Sequence, residues 1–377
     1  MSRILSYFQE RKGALIDGLR QMVEIESPTL EPQRVNAMGE HVKERLRSLG
    51  ASVEVDTQTE RGHNVIGRFG DPAMGDPVLM IGHTDTVWKV GTLEERPFRV
   101  DGNRAFGPGA ADMKSGLIIM LAVLEAINDL QLPLPRPLTL IFNSDEEMQS
   151  LYSRELIEKE ARKSFCSLAF EGTRDLNAFT TSRKASGRFT VRAKGKSAHA
   201  ASGLREGVNA IEELAHQVTK VQGLTDFGTG TTINVGTIAG GDRPNIIPDW
   251  AEMVLSVRAV TTGEMGRIEQ VLRSLEPHLA GAEISVSGGF HRPPLEETEA
   301  SKRLLGRLRE VASEFGIDAR GELGGGAGDA NLTSAVGCPS IDSMGAVGFG
   351  AHSVDEHILI DELPARAAVA TRFITSL

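Results

Sequence analysis

Two rhythms of apolar and polar positions run along the chain. Short β-rich apolar runs at 78–82, 138–143 and 167–170 alternate with stretches of helical period at 35–49, 115–129 and 154–162. That order predicts a sheet covered by helices. Residues 1–27 mix apolar positions with Arg3, Glu10, Arg11, Lys12 and Asp17 and predict an amphipathic helix. From about residue 182 the pattern changes to strand 187–194, helix 207–222, strands 231–239 and 251–259, helix 263–279 and strand 283–288, which is the split βαβ order of a ferredoxin-like domain. After His291, Arg292, Pro293 and Pro294 the first rhythm returns, with helices at 300–315 and 363–376. The expectation is an α/β protein with a domain of residues 1–181 and 293–377, interrupted by an inserted βαββαβ domain over 182–292.

Length agrees with two domains, since 377 residues exceed the roughly 250–300 at which one core stops growing. Hydrophobic residues at 40% and charged residues at 24% describe an ordinary folded chain. The net charge of −10 argues against a protein that grips phosphate backbones, so no nucleic-acid partner is expected. Cys166 and Cys338 form no CxxC pair, so a bound metal would need oxygen and imidazole ligands. The longest apolar run, 116–124, is far short of the roughly 20 residues that span a bilayer, and the N-terminus lacks the apolar region of a signal peptide. A cytoplasmic protein without a membrane partner is expected.

Acidic residues and histidines gather where the predicted strands end. His83 and Asp85 follow the run 78–82, and ligands of open α/β sheets collect outside the carboxyl ends of strands. A polar turn would also accommodate them. Asp112 precedes the apolar helix and could be its cap. Asp145, Glu146 and Glu147 crowd the end of 138–143, where either a solvated turn or a divalent cation would relieve their repulsion. Glu171 ends a further buried-looking strand, and His352 lies in the small-residue loop 348–353. Together these residues form a ligand set that zinc and similar ions accept.

The strings His83-Thr84-Asp85-Thr86-Val87, Gly107-Pro108-Gly109 through Asp112-Met113-Lys114, Asn143-Ser144-Asp145-Glu146-Glu147, Phe170-Glu171, Gly195-Lys196-Ser197-Ala198-His199, Asn245-Ile246-Ile247-Pro248 and His352-Ser353 resemble the signature blocks of a dinuclear zinc metallopeptidase family. That family includes glutamate carboxypeptidase, acetylornithine deacetylase, succinyl-diaminopimelate desuccinylase, aminoacylase and several dipeptidases. Phe98-Arg99-Val100, the string 142–147 and Gly324-Gly325-Gly326 look most like the glutamate carboxypeptidase branch.

The resemblance implies a zinc-peptidase-like catalytic domain with a central mostly parallel sheet, and a lid domain that makes a homodimer. It implies two zinc ions, or other divalent ions such as cobalt or manganese. Asp112 would bridge them, with His83 and Glu171 on one and Glu147 and His352 on the other. Glu146 would be the general base, Asp85 would orient His83, and the Asp112–Met113 peptide would be cis. His199 would hydrogen-bond the oxyanion in the partner subunit's site. Arg258 would clamp the substrate carboxylate, with Asn245, Arg292 and Gly326 completing substrate binding.

The implied reaction is hydrolysis of an amide beside a free carboxylate in a small molecule or short peptide. Release of C-terminal glutamate or a similar residue is the leading reading, with removal of an N-acyl group or dipeptide cleavage as the alternatives. Relatives specific for glutamate carry a lysine after the zinc-binding glutamate, and 172–182 contains none. Two unrelated classes fit less well. A nucleotide-binding enzyme would need a Gly-Lys-Ser/Thr ending at 324–328, and a noncatalytic scaffold would not require every ligand and the base.

Overall fold

The computed structural model describes residues 3–377. They form two compact units, residues 3–181 with 297–324 and 328–377, and residues 182–296 with 325–327.

The first unit is built on a six-stranded sheet in the order Ser52–Asp56, Asn64–Phe69, Leu138–Asn143, Val78–His83, Cys166–Ala169, Ser340–Ile341. Val78–His83 runs parallel to both of its neighbours, and Ser340–Ile341 runs parallel to Cys166–Ala169. Those three strands at the centre, Leu138–Asn143, Val78–His83 and Cys166–Ala169, are buried at every position, as strands covered on both faces must be. Their continuous apolar runs made them readable. The hairpin Ser52–Asp56 with Asn64–Phe69 pairs antiparallel, and its outer strand has no buried position, so no apolar run announces it.

The N-terminal segment is two helices, Arg3–Glu10 and Lys12–Val23, because Arg11 leaves helical geometry at φ −96°, ψ 10°. Residues 1 and 2 of the expected helix lie outside the described residues. Helix Ser115–Leu130 is apolar on nearly every side and correspondingly buried. Its second residue must be glycine, since a Cβ on Gly116 would sit 1.9 Å from the carbonyl oxygen of Phe170. That close approach holds the helix start against the strand end that delivers Glu171.

The second unit is a four-stranded antiparallel sheet, ordered Thr232–Gly240, Trp250–Ala259, Ala185–Lys194, Glu283–Arg292. Helices Ala210–Gln222 and Thr262–Arg273 supply Leu214, Val221, Ile268 and Leu272 to a core with Phe189, Val191, Met253, Leu255 and Val257. This is the ferredoxin-like βαββαβ order. The Asn209 side chain accepts the Ile211 and Glu212 amides and Thr261 accepts that of Glu264, so the helices begin at 210 and 262. The second helix stops at Arg273, before the expected 279, because Pro277 disfavours helical geometry in the residue preceding it. No helix among the described residues is long and apolar enough to cross a membrane.

Candidate metal centre

Parallel neighbouring strands deliver their carboxyl ends to one edge of the sheet, and here that edge collects the site. His83 is the last residue of Val78–His83, Glu146 and Glu147 open a short turn after Leu138–Asn143, and Glu171 lies two residues past Cys166–Ala169. Asp112 sits in the turn before helix Ser115–Leu130, and its peptide bond to Met113 is cis. His352 adopts a left-handed φ of 61°, a conformation that non-glycine residues hold mainly where surrounding structure fixes them.

Asp112 lies between the two imidazoles. Its Oδ1 is 3.1 Å from His83 Nε2, and its Oδ2 is 3.1 Å from His352 Nε2. Each imidazole has one further carboxylate neighbour: Glu171 Oε1 stands 3.7 Å from His83 Nε2, and Glu147 Oε2 stands 3.3 Å from His352 Nε2. Two positions, each with one imidazole and one carboxylate, thus share Asp112. Among the described residues, His83, Asp112 and Glu147 form a group whose ligand atoms all lie within 4.8 Å of one another.

Asp85 does more than the sequence suggests. The His83 Nδ1 lies 2.9 Å from the Asp85 carbonyl oxygen, closer than the 3.3 Å to the carboxylate Oδ1, so the backbone carbonyl is the nearer acceptor that aims Nε2 at Asp112. The Asp85 carboxylate accepts the amides of Glu146 and Glu147, each at 3.2 Å, and the Thr29 hydroxyl at 2.7 Å. Asp85 therefore holds the turn that carries Glu146.

The electrostatics match a site built around positive charge. Burial pushes the Glu171 carboxyl well above its ordinary range, with Asp112 and Glu146 adding to the push, and burial raises Glu147 also. Both imidazoles hold Asp112 low in spite of its burial, and Asp112 with Glu147 lifts His352 to about 10. Glu147 Oε1 is buried without a hydrogen-bond donor, a costly condition that a coordinated cation removes. Carboxylate and imidazole donors in this number fit two divalent ions.

His199, Asn245, Arg258, Arg292 and Gly326 belong to the second unit. His199 is exposed, and its Nδ1 accepts the amides of Ala201 and Ser202 at 3.2 and 3.3 Å. The neutral ring therefore carries its proton on Nε2 as a donor. Asn245 is close by through the backbone, its carbonyl accepting the Ala200 amide at 3.1 Å. The Gly326 carbonyl accepts from the Arg183 guanidinium at 2.9 Å, which ties the glycine turn to this unit.

Arg258 and Arg292 both pair with Ser186, and Arg188 follows two residues along the same strand face. A one-residue bulge at His291 makes this possible. Phe290 pairs with Gly187 on the core side, and the extra residue turns Arg292 to the opposite face, beside Arg258. His291 is depressed by burial and then by Arg258, Arg292 and Arg188. Burial alone lowers Arg258.

Residues 79–376 match the family model described as Peptidase family M20/M25/M40. This chain belongs to that family. Carboxypeptidase G2 of Pseudomonas sp. (strain RS-16) is 31% identical over 98% of this chain and 90% of its own length. Acetylornithine deacetylase of Klebsiella pneumoniae (strain 342) is 30% identical over 71% and 75%. Among solved structures, aminopeptidase PepT from Bacillus cereus superimposes with a TM-score of 0.81 at 19% identity, covering 97% of this chain and 98% of that one. A dinuclear metal binding peptidase of family M20 from Bacillus subtilis gives 0.73 at 14%, covering 98% of each. The chain is a metallopeptidase-family hydrolase on the dinuclear metal-binding peptidase fold.

Three residues are not marked by any motif: Thr29 and Glu356 at the metal centre of the first unit, and Arg188 on the sheet of the second. Thr29 lies far from every motif, and only the fold brings it to Asp85. Arg188 was detectable as a charged position on the polar side of an alternating strand. Glu356 stands four residues after His352 and accepts backbone amides of the Asp112 turn, contacts that no sequence pattern marks.

Proposed function

We propose that this protein is a dizinc carboxypeptidase that hydrolyses the amide bond before a C-terminal acidic residue, glutamate first. The sharing of Asp112 between two imidazole-carboxylate pairs carries the hydrolytic part of this reading. His83, Asp112, Glu147, Glu171 and His352 would hold two divalent cations, which when bound would lower the pKa of a water enough for attack near neutral pH. Glu146 takes the proton from the attacking water and returns it to the leaving amine, since it adjoins the ligand Glu147 in the chain and its backbone amide is held by the Asp85 carboxylate. Asp85 orients His83. His199, a donor at Nε2, stabilises the oxyanion.

The arginine-rich face supports the substrate assignment. A guanidinium matches two carboxylate oxygens, and Arg258 with Arg292 suits a residue carrying an α-carboxylate and a second acidic group. Asn245 and Gly326 complete the recognition surface, and the 31% identity to carboxypeptidase G2 over nearly the whole chain points the same way. The second unit acts as lid and, through an edge strand such as Thr232–Gly240, as the contact of a homodimer, which sedimentation tests. Cys166 and Cys338, both buried and free, accord with a reducing cytoplasm.

The test is a substrate screen with Glu, Asp, Ala, Leu and Arg as the released residue, from N-acylated amino acids and from short peptides. Glutamate and aspartate should give the highest kcat/KM, and Arg292→Ala should erase that preference. Equal kcat/KM for acidic and neutral residues would instead favour a general acylamino-acid hydrolase.

A further inference from the structure

Glu356 is 2% exposed, and the chemistry above does not use it. Its carboxylate collects four N–H donors. Oε2 accepts the Trp88 indole at 2.8 Å and the Gly109 amide at 2.9 Å, while Oε1 accepts the amides of Ala111 at 2.9 Å and Asp112 at 3.0 Å. Three donors thus come from one turn, and the last is the backbone of the residue whose carboxylate lies between His83 and His352. The carbonyl of Glu356 also accepts the Gly107 amide at 3.3 Å, and its own amide bonds the Ser353 carbonyl at 3.2 Å. A second connection runs alongside: the Arg96 guanidinium lies 3.9 Å over the Trp88 ring and donates to the Ser353 carbonyl at 3.4 Å.

We propose that Glu356 is a positioning residue that locks the Asp112 turn to the His352 loop and so fixes the spacing of the two cation positions. A bridging carboxylate has to present one oxygen to each cation, and only two side-chain torsions separate those oxygens from the backbone. Fixing the Asp112 amide leaves the carboxylate little freedom. Because the same side chain belongs to the His352 loop, it couples a ligand of one position to the ligand shared by both. An amide cannot replace it, since glutamine has a single acceptor oxygen and would turn an NH2 group toward N–H donors. Outer partners of metal ligands act in this way, and their loss typically weakens metal binding about 10–100-fold.

The proposal rests on the two-cation reading, and cobalt(II) titration of chelator-treated protein separates the two. Wild type binding fewer than two equivalents would defeat that reading whatever Glu356 does. With two equivalents bound, Glu356→Gln should weaken cobalt affinity about 10–100-fold and change the visible cobalt spectrum. Glu356→Asp, which keeps a charged acceptor, should recover part of both. A folded Glu356→Gln protein with wild-type affinity and spectrum would overturn the proposal. If Glu356→Gln does not fold, Trp88→Phe decides, because it deletes one donor and leaves the carboxylate in place. Cobalt affinity weakened about threefold or more supports the positioning role, and unchanged affinity contradicts it.

Discussion

At the carboxyl ends of its parallel strands the first unit gathers Asp85, Asp112, Glu146, Glu147 and Glu171 around two imidazoles, whereas the polar face of the antiparallel sheet in the second unit gathers Arg188, Arg258 and Arg292 around His291. Like charges crowd in both places, and the relief each needs has opposite sign. The acidic cluster has a buried oxygen without a donor and carboxyls lifted by burial, so it calls for cations. The basic cluster has in Arg258 an arginine lowered by burial alone, for which the proposed function supplies a substrate carboxylate. One unit is therefore read as doing chemistry and the other as choosing the substrate, and variants in the two should fail differently.

The largest effect is expected at the acidic end. Glu146→Gln keeps the shape and removes the basic carboxylate, so kcat should fall about 10²–10⁴-fold while metal content stays at the wild-type level. A drop of only a few-fold would remove Glu146 from the role of base. At the basic end, Arg258→Ala should cost about 2–5 kcal/mol in kcat/KM, felt by every substrate with a free carboxylate. The discriminating readout is metal content, which must not change in either variant if the division of labour is right.

Legibility in the sequence followed the same division. The central strands, buried throughout, and the amphipathic helices wrote their periods plainly, and acids at strand ends marked the catalytic edge. What escaped depends on backbone geometry. No pattern distinguishes Glu356 from a solvated acid, because its partners are amides of a distant turn. The bulge at His291 is equally silent: one extra residue decides whether Arg292 points into the core or beside Arg258, and strand alternation alone places it on the wrong side. The outer hairpin strand Ser52–Asp56 alternates Val53 and Val55 with three polar residues over only five positions, none of them buried, so it offers no continuous apolar run.

A smaller effect separates the stability of the second unit from the chemistry of the first. Burial by itself would push the Glu213 carboxyl up, but the Gln217 amide group and the amides of Leu279 and His278 outweigh it and hold the carboxyl below its ordinary value of 4.5. A carboxyl depressed by folding adds stability that is fully present above the unfolded pKa and is lost as pH falls through the folded one. Glu213→Gln should therefore lower thermal stability at pH 7 by about 1.5–3 kcal/mol. The gap from wild type should close as pH drops below about 4.5. A gap independent of pH would mean that packing, not charge, is the cause.

The central claim is that Asp112 joins two cation positions into one reactive centre. Protein stripped by chelation is titrated with zinc while bound metal and hydrolysis of an acylated glutamate are followed together. The account predicts no turnover in the stripped protein, binding that saturates at two ions per chain, and activity restored with the filling of those positions. Full activity after exhaustive chelation, or saturation at one ion with full activity, would contradict it.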